Sequence, residues 1–407
     1  MINDLLHTWP AYSEEEANSI HDLLLSNKVN YWTGDEAHQF EKEFADWIGA
    51  QHATALANGT IALEFALKAI GINEGDEVIV TPRTFIASVS CVVNTGATPV
   101  FVDVDYDSGN LSAETIGKAI TSLTKAVICV HLAGWPCEMD PIMELADEHG
   151  FYVIEDCAQA HGAEYKGRKV GTIGHIGAWS FCNDKIMTTG GEGGMITTND
   201  KVLYHRIWSL KDHGKSLYAV EKSLESPPYQ FDWLHESFGS NGRMIELQAA
   251  IGRIQLKKIA GWHSARKRNA DSIFNVCDRF PEAIFVPRVP DWIEHAYYKC
   301  YIYVRPGGLK KGWTRARIIE KIIDCGVSCY SGSCSEVYLE KAFEGTGFRP
   351  KERLPVAREL GETAMMFLVH PTLSKREIQL TCSVINDVFS LVTNSTERDS
   401  RGTKNDN

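Results

Sequence analysis

A lysine followed by a glycine-rich turn is the part of this sequence that points most directly to chemistry. Lys185 precedes the run Gly190-Gly191-Glu192-Gly193-Gly194, and an earlier apolar segment ends in Glu155-Asp156. A lysine amine can form a Schiff base with an aldehyde, and a carboxylate such as Asp156 can keep a pyridine nitrogen protonated. The pair predicts a site for pyridoxal 5′-phosphate. The alternative interpretation of Lys185 is a solvent-exposed loop lysine.

A phosphate-binding position is predicted where the first strand gives way to a helix. Asn58-Gly59-Thr60 opens that helix, so its backbone amides and the Thr60 hydroxyl could bind an anion at the positive end of the helix dipole. Ser180 closes a later strand, and its hydroxyl could contact the same phosphate. An equally good interpretation of Asn58 or Thr60 is that the residue only caps the helix.

Two further side chains could contact the cofactor ring. Phe85 follows the second strand and could stack on a flat heterocycle, although a buried phenylalanine is more often part of the core. Gln159 follows Asp156 closely enough to reach the ring or its 3′ oxygen. His161, in the same segment, is interpreted as a structural, hydrogen-bonded histidine.

Short apolar runs alternate with helical patterns along the first half of the chain. Such alternation predicts an α/β fold with a parallel sheet covered on both faces, which carries its site at the carboxyl ends of the strands. The predicted strands are 53–56, 77–80, 99–102, 126–130, 152–155, 176–181 and 194–198. The predicted helices are 61–70, 85–94, 112–122, 138–149 and 243–258.

The chain is long enough for two domains of unequal size. Its 407 residues predict a large domain over 1–258, a small domain over 259–392 that contains a strand at 298–304, and a polar, disordered tail over 393–407. The net charge of −12 argues against a nucleic-acid partner. With no visible signal peptide and no apolar run long enough for a bilayer, we expect a cytoplasmic protein without a membrane partner.

Other cofactor and metal sites have little support in the sequence. The lysine precedes the glycines, which excludes the order of a P-loop, and no G-x-G-x-x-G follows the first strand, which argues against a nicotinamide-binding domain. The eleven cysteines are interpreted as reduced thiols. Cys325, Cys329 and Cys334 lack zinc-site spacing, so no metal site is predicted.

Taken in order, the motifs of this chain resemble the DegT/DnrJ/EryC1/StrS family of nucleotide-sugar aminotransferases. Each motif is weak alone, but their order along nearly the whole chain is specific. They are Tyr31-Trp32-Thr33-Gly34, Asn58-Gly59-Thr60, Thr84-Phe85-Ile86-Ala87-Ser88, Glu155-Asp156-Cys157-Ala158-Gln159, Ser180 to Lys185, Gly191-Glu192-Gly193-Gly194 and Arg243 to Gly252.

The resemblance implies a fold of the aspartate aminotransferase type (fold type I) and a role for each matching residue. Lys185 would form the Schiff base with pyridoxal 5′-phosphate, Asp156 would pair with the ring nitrogen, and Phe85 would stack on the ring. The phosphate would be held by Gly59, Thr60 and Ser180. Asn241 matches a family asparagine that reaches the phosphate of the neighbouring subunit, which implies a homodimer with shared active sites.

The activity implied by the resemblance is amino transfer from glutamate to a keto sugar linked to a nucleoside diphosphate, in surface polysaccharide or related amino-sugar biosynthesis. The alternatives are a dehydratase with the same cofactor and a non-catalytic regulator. Related dehydratases replace the lysine by histidine, so Lys185 favours transfer. The segment 327–334 replaces a His-Tyr-Pro sequence found near the sugar in many relatives, and this leaves the sugar open.

Overall fold

The structure, a computed structural model, describes residues 8–223, 227 and 232–394. Its helices are α1 (Glu14–Ser26), α2 (Glu36–Ile48), α3 (Gly59–Ala69), α4 (Ala87–Asn94), α5 (Ala113–Gly117), α6 (Met139–His149), α7 (Lys201–Lys211), α8 (Leu217–Ser223), α9 (Glu246–Leu256), α10 (Ile259–Cys277), α11 (Arg315–Asp324), α12 (Pro355–Thr363) and α13 (Lys375–Val392).

The strands form three sheets. They are β1 (His52–Leu56), β2 (Glu77–Val80), β3 (Thr98–Phe101), β4 (Thr124–Val130), β5 (Tyr152–Asp156), β6 (Glu164–Tyr165), β7 (Arg168–Lys169), β8 (Ile176–Ser180), β9 (Gly194–Thr198), β10 (Ile284–Phe285), β11 (Ile293–Glu294), β12 (Cys300–Val304), β13 (Cys329–Tyr330) and β14 (Ala364–Phe367).

A seven-stranded sheet in the order β1-β9-β8-β5-β4-β2-β3 is formed by the strands between His52 and Thr198. Strands β2, β3, β4, β5 and β8 pair in parallel, whereas β9 pairs antiparallel with both β1 and β8. Because two antiparallel pairings restore the direction, β1 runs the same way as β8. The carboxyl ends of β1, β2, β5 and β8 therefore meet at one edge of the sheet, where ligands bind in open α/β sheets.

The sequence patterns locate the strands of this sheet to within one or two residues. The main differences are in direction and helix length. Strand β9 is antiparallel because the connection from β8 contains no crossover helix, which a parallel pairing requires. Helix α5 ends at Gly117, earlier than the predicted 122, and the helix predicted over 243–258 begins only at Glu246.

The C-terminal part contains a second sheet, in the order β10-β12-β14-β13, against which α11 and α13 pack. Its strand β12 begins at Cys300 rather than at 298. Thr393 pairs with Leu309 and the Asn394 amide donates to the Gly308 carbonyl, so the predicted disorder is wrong for these two residues. Residues 395–407 lie outside the described part of the chain. The domain division at 258/259 stays a prediction.

No helix in the described part of the chain is both long enough and apolar enough to cross a bilayer.

Candidate active site

One cavity of about 640 Å³ lies at the carboxyl edge of the central sheet. Four sheet strands and the turns that follow them supply its wall, as the sequence patterns predict for a parallel sheet. Seven of the eight residues predicted to contact the cofactor line it: Gly59, Thr60, Phe85, Asp156, Gln159, Ser180 and Lys185. The structure thus brings together residues that lie far apart in the sequence, while the role of each one stays a prediction.

Lys185 is held on a loop whose backbone is fixed at several points. The indole nitrogen of Trp9 donates a 2.7 Å hydrogen bond to the Lys185 carbonyl, and the Lys185 amide donates to the Cys182 carbonyl. Behind it, the Phe181 amide donates to the Gly193 carbonyl at 2.8 Å, which closes the base of the loop. The turn needs glycine at Gly191, whose φ of 125° lies in the region that side chains rarely adopt. The lysine is therefore presented by an ordered turn.

Asp156 lies at the end of β5 with its carboxylate already oriented. The Ser88 hydroxyl donates to one carboxylate oxygen at 2.8 Å, and the Ala158 amide donates to the other at 3.1 Å. Thr84 bonds Ser88 in turn, at 2.7 Å. These two donors fix the direction of the buried carboxylate. Ser88 is a supporting residue that the sequence prediction did not assign.

Glu155 has a different environment because alternate side chains of a strand point to opposite faces. Its carboxylate accepts hydrogen bonds from His131 and from the amides of Gly171, Ile173 and Gly174. Burial alone would raise the pKa of Glu155, but His131 and these amides lower it below the ordinary value. Glu155, His131 and Cys157 are also close enough to share a metal ion. Since both carboxylate oxygens already accept hydrogen bonds, we assign Glu155 to holding the 171–174 loop.

In the Asn58-Gly59-Thr60 segment, one residue caps helix α3 and the next two line the cavity. Asn58 is the N-cap, and its side-chain oxygen accepts a 2.9 Å hydrogen bond from the Ile61 amide. Thr60 is exposed to the cavity. Gly59 lies against the end of β8, where a Cβ atom would approach within 2.6 Å of Ser180 Cβ. This close approach places Ser180 beside the helix N-terminus, where an anion is favoured.

The two side chains predicted to contact the ring differ in exposure. Phe85 is 67 % exposed and projects from the turn after β2 into the cavity, so the interpretation as a core residue is wrong. Gln159 is buried, and its carbonyl oxygen accepts a 2.7 Å hydrogen bond from the Ala133 amide. That bond fixes the amide orientation and leaves the Gln159 NH₂ group as the donor.

Asn241 is the one predicted cofactor residue that does not line this cavity. It is exposed and pairs with Asp212 in a short antiparallel bridge. Asp212 is buried and forms a salt bridge with Arg243, which anchors the segment that carries Asn241. A side chain held rigidly at the surface is suited to contact a second subunit, but the structure describes a single chain.

Tyr298 and Asp184 are site residues that the sequence analysis did not assign. The Tyr298 hydroxyl donates to the Asp184 carboxylate, and the Lys185 ammonium lies 5.2 Å from the centre of the Tyr298 ring. Burial raises the pKa of Asp184, but Lys185 and the Tyr298 hydrogen bond outweigh it, so the net shift is downward. Only the fold brings the segment before β12 next to the lysine loop, so no local signal could have identified Tyr298.

His161 lies behind the cavity rather than in it. Its ring packs against those of Trp179 and Phe181, with centroids 5.3 and 5.6 Å away. Burial, and secondarily the charges of Lys185 and Arg266, lower the pKa of His161 to about 3. The ring is therefore neutral at pH 7, and its packing supports the predicted structural role.

The donor set fits pyridoxal 5′-phosphate. A buried, hydrogen-bonded carboxylate is available for the ring nitrogen, an exposed aromatic ring for stacking, and a helix N-terminus with two hydroxyls for the phosphate. The lysine lies in the same cavity as all three. These side chains are placed to contact the ring, its nitrogen and the phosphate, while the role of each one stays a prediction.

Comparison with known proteins gives one consistent result. A sequence model described as the DegT/DnrJ/EryC1/StrS aminotransferase family matches residues 10–386. A GDP-perosamine synthase of Escherichia coli O157:H7 is 36% identical over 385 residues, which cover 94% of this chain and 97% of that protein. The spore coat polysaccharide biosynthesis protein SpsC of Bacillus subtilis is 34% identical over 389 residues, with coverage of 94% and 97%.

A solved structure gives the same answer at the level of the fold. The X-ray structure of an aminotransferase from Psychrobacter cryohalolentis is 57% identical, with a TM-score of 0.93 and coverage of 95% of this chain and 99% of that one. The family, the relatives and the fold therefore agree over almost the full length of the sequence.

Proposed function

Because the chain belongs to the DegT/DnrJ/EryC1/StrS aminotransferase family, we propose that it transfers an amino group from glutamate to a keto group of a nucleoside-diphosphate-linked sugar. The observation that carries the proposal is that Lys185 and a hydrogen-bonded Asp156 line one cavity together with Thr60 and Ser180. The names of the similar proteins support a place in polysaccharide biosynthesis. We infer that the reaction takes place in the cytoplasm.

Each part of this chemistry has a residue in the cavity. When bound, pyridoxal phosphate supplies a ring that accepts electrons. Asp156 would hold a proton at the ring nitrogen, and its hydrogen bonds from Ser88 and Ala158 orient the carboxylate. The Lys185 amine would take a proton from the donor carbon as a general base and deliver it as a general acid to the cofactor carbon that receives the amino group. Phe85 covers one face of the cavity and limits access of water.

The phosphate end of the site is proposed to be completed by a second subunit. Thr60 and Ser180 offer hydroxyl groups at the start of α3. Asn241, exposed on an anchored segment, would reach the phosphate of the partner in a homodimer. Two subunits would then share two sites, and neither subunit alone would hold the cofactor fully.

The decisive experiment uses Lys185. The purified protein is expected to be yellow, to lose its colour with glutamate, and to retain the cofactor covalently after borohydride reduction. Peptide mass mapping should locate that adduct at Lys185. The variant K185A should lose amino transfer to a panel of nucleotide keto sugars, whereas K166A, at an exposed ion pair with Asp140, should retain it.

Two results would contradict the proposal. Full turnover by K185A would remove the lysine from the mechanism. A wild-type protein that binds no pyridoxal phosphate would instead favour the non-catalytic interpretation. A nucleotide keto sugar that loses water rather than gaining an amino group would favour the dehydratase.

A further inference from the structure

A second lysine, Lys299, lies next to the proposed active site and forms no salt bridge with a carboxylate of the described residues. Its ammonium is 4.8 Å from the centre of the Tyr298 ring, the same ring that Lys185 approaches to 5.2 Å. Because both distances are measured to the same ring centre, the side-chain nitrogens of Lys185 and Lys299 are separated by no more than their sum. Within residues 8–223, 227 and 232–394, no carboxylate lies within 4.0 Å of Lys299, and it forms no hydrogen bond.

Lys299 lines a second cavity, of about 440 Å³, that adjoins the first. The two cavities share Asp184, Tyr298 and Ser333, so they form one continuous groove. One wall of the second cavity comes from the segment 327–334. That wall is polar, with the side chains of Ser328, Tyr330 and Ser333.

The charges around Tyr298 do not balance. Lys185, Lys299 and the buried Arg266 are three cations, while Asp184 is the acid that faces them. Arg266 binds the carbonyls of Tyr297 and Tyr298 rather than a carboxylate. An excess of positive charge inside a protein of net charge −12 is favourable where an anion binds.

We propose that Lys299 binds the side-chain carboxylate of the amino donor. The inference rests on the proposed function, which makes the donor a dicarboxylic amino acid. In an extended glutamate the side-chain carboxylate lies about 5 Å from the amino nitrogen. Lys185 and Lys299 both lie over the Tyr298 ring, so a donor that reacts beside Lys185 extends its side chain toward the Lys299 ammonium. Selection of glutamate over donors without this carboxylate follows from that ion pair.

The protonation of Lys299 gives the subsite a characteristic pH dependence. Burial lowers the pKa of Lys299 to about 8, with Asp184 opposing the shift and Arg266 and Lys185 adding to it. The other titratable groups at this cavity are Tyr298, Tyr330 and His370. A lysine cation is lost as the pH rises through its pKa, so affinity for a dicarboxylate should be constant below pH 8 and fall above it.

The test measures binding of glutarate, a dicarboxylate without an amino group, to the purified holoprotein by calorimetry. K299Q should weaken glutarate binding about tenfold or more, because a charge-assisted hydrogen bond is lost. K299R, which stays charged, should restore the affinity and abolish its fall above pH 8. The matched control is K267Q, an exposed lysine near the Tyr297 ring that does not line the groove.

Amino transfer supplies the second readout. In the first half-reaction, K299Q should raise the KM for glutamate about tenfold and leave kcat nearly unchanged, with little effect on glutamine as donor. Equal glutarate affinity in wild type and K299Q would overturn the inference. An effect confined to the second half-reaction would also overturn it, since the anion would then belong to the acceptor sugar. Because glutarate binding needs no turnover, this failure is distinguishable from failure of the proposed amino transfer.

Discussion

At the scale of single residues, the proposed chemistry depends on side chains whose neighbours fix their charge and direction. Asp156 can serve a ring nitrogen because Ser88 and the Ala158 amide occupy its oxygens on the protein side. Residue types and order were enough to single out Lys185 and Asp156. Ser88, Tyr298 and Lys299 could not be assigned in the same way, because their importance comes from contacts between distant segments.

Replacing Asp156 by asparagine keeps the shape of the side chain and removes its charge, so it tests the charge alone. D156N should lower kcat for amino transfer by about 10²-fold or more, because a preorganised charge at the ring nitrogen is lost. S88A, which removes one hydrogen bond worth about 1 kcal/mol, should lower kcat only about fivefold. Steady-state kinetics at saturating cofactor measures both. A D156N variant as active as S88A would show that the carboxylate charge is unimportant.

At the scale of elements, the site depends on how strand ends and turns are held at one edge of the sheet. The alternating apolar runs predicted the strands well because each is buried on both faces. The direction of β9 and the loop that carries Lys185 were not predictable in the same way. They depend on tertiary hydrogen bonds, such as those from Trp9 to Lys185 and from the Thr188 amide to Gln255.

Protonation of Glu155 at low pH should destabilise the 171–174 loop, which precedes β8. The pKa of Glu155 is lower in the folded state than in the unfolded chain, so the ionised carboxylate stabilises the fold at pH values above the ordinary pKa of glutamate. This stabilisation is lost as the pH falls through the pKa of the folded state. E155Q should cost about 3 kcal/mol at pH 7, because the amide cannot replace the buried anion. It should also narrow the difference in unfolding free energy between pH 7 and pH 4, measured by urea denaturation.

The control for this experiment is the exposed acid Glu148, on α6. E148Q should leave both the unfolding free energy and its pH dependence near those of the wild type. The unfolding free energy of E155Q could instead fall between pH 7 and pH 4 by as much as that of the wild type. The pH-dependent stabilisation would then come from other carboxylates.

At the scale of the whole molecule, the surface near Asn241 suggests that the functional unit is larger than one chain. Phe238 is fully exposed and Ile245 is half-exposed, on either side of Asn241. Exposed large apolar side chains are compatible with an interface. A homodimer would cover them and would bring Asn241 to the partner's phosphate site, as the family resemblance implies.

Mixed dimers test that arrangement directly. K185A and N241A should each be nearly inactive alone. If Asn241 acts across the interface, each hybrid dimer contains one site with both substitutions and one with neither. Coexpression should then restore about one quarter of the wild-type activity, since half of the dimers are hybrids with one intact site. If Asn241 acts within its own chain, no hybrid site is intact and the activity stays at the level of the single variants.

The sequence by itself determined the class of fold, the cofactor and the candidate residues Lys185 and Asp156, because these follow from local patterns and from motifs in a fixed order. The tertiary structure decided which residues meet. It placed Tyr298 and Lys299 of the C-terminal part against the lysine loop, and it separated Glu155 from Asp156 on opposite faces of one strand. The physical reason is that contacts across the groove join segments more than a hundred residues apart, and no local pattern encodes such a distance.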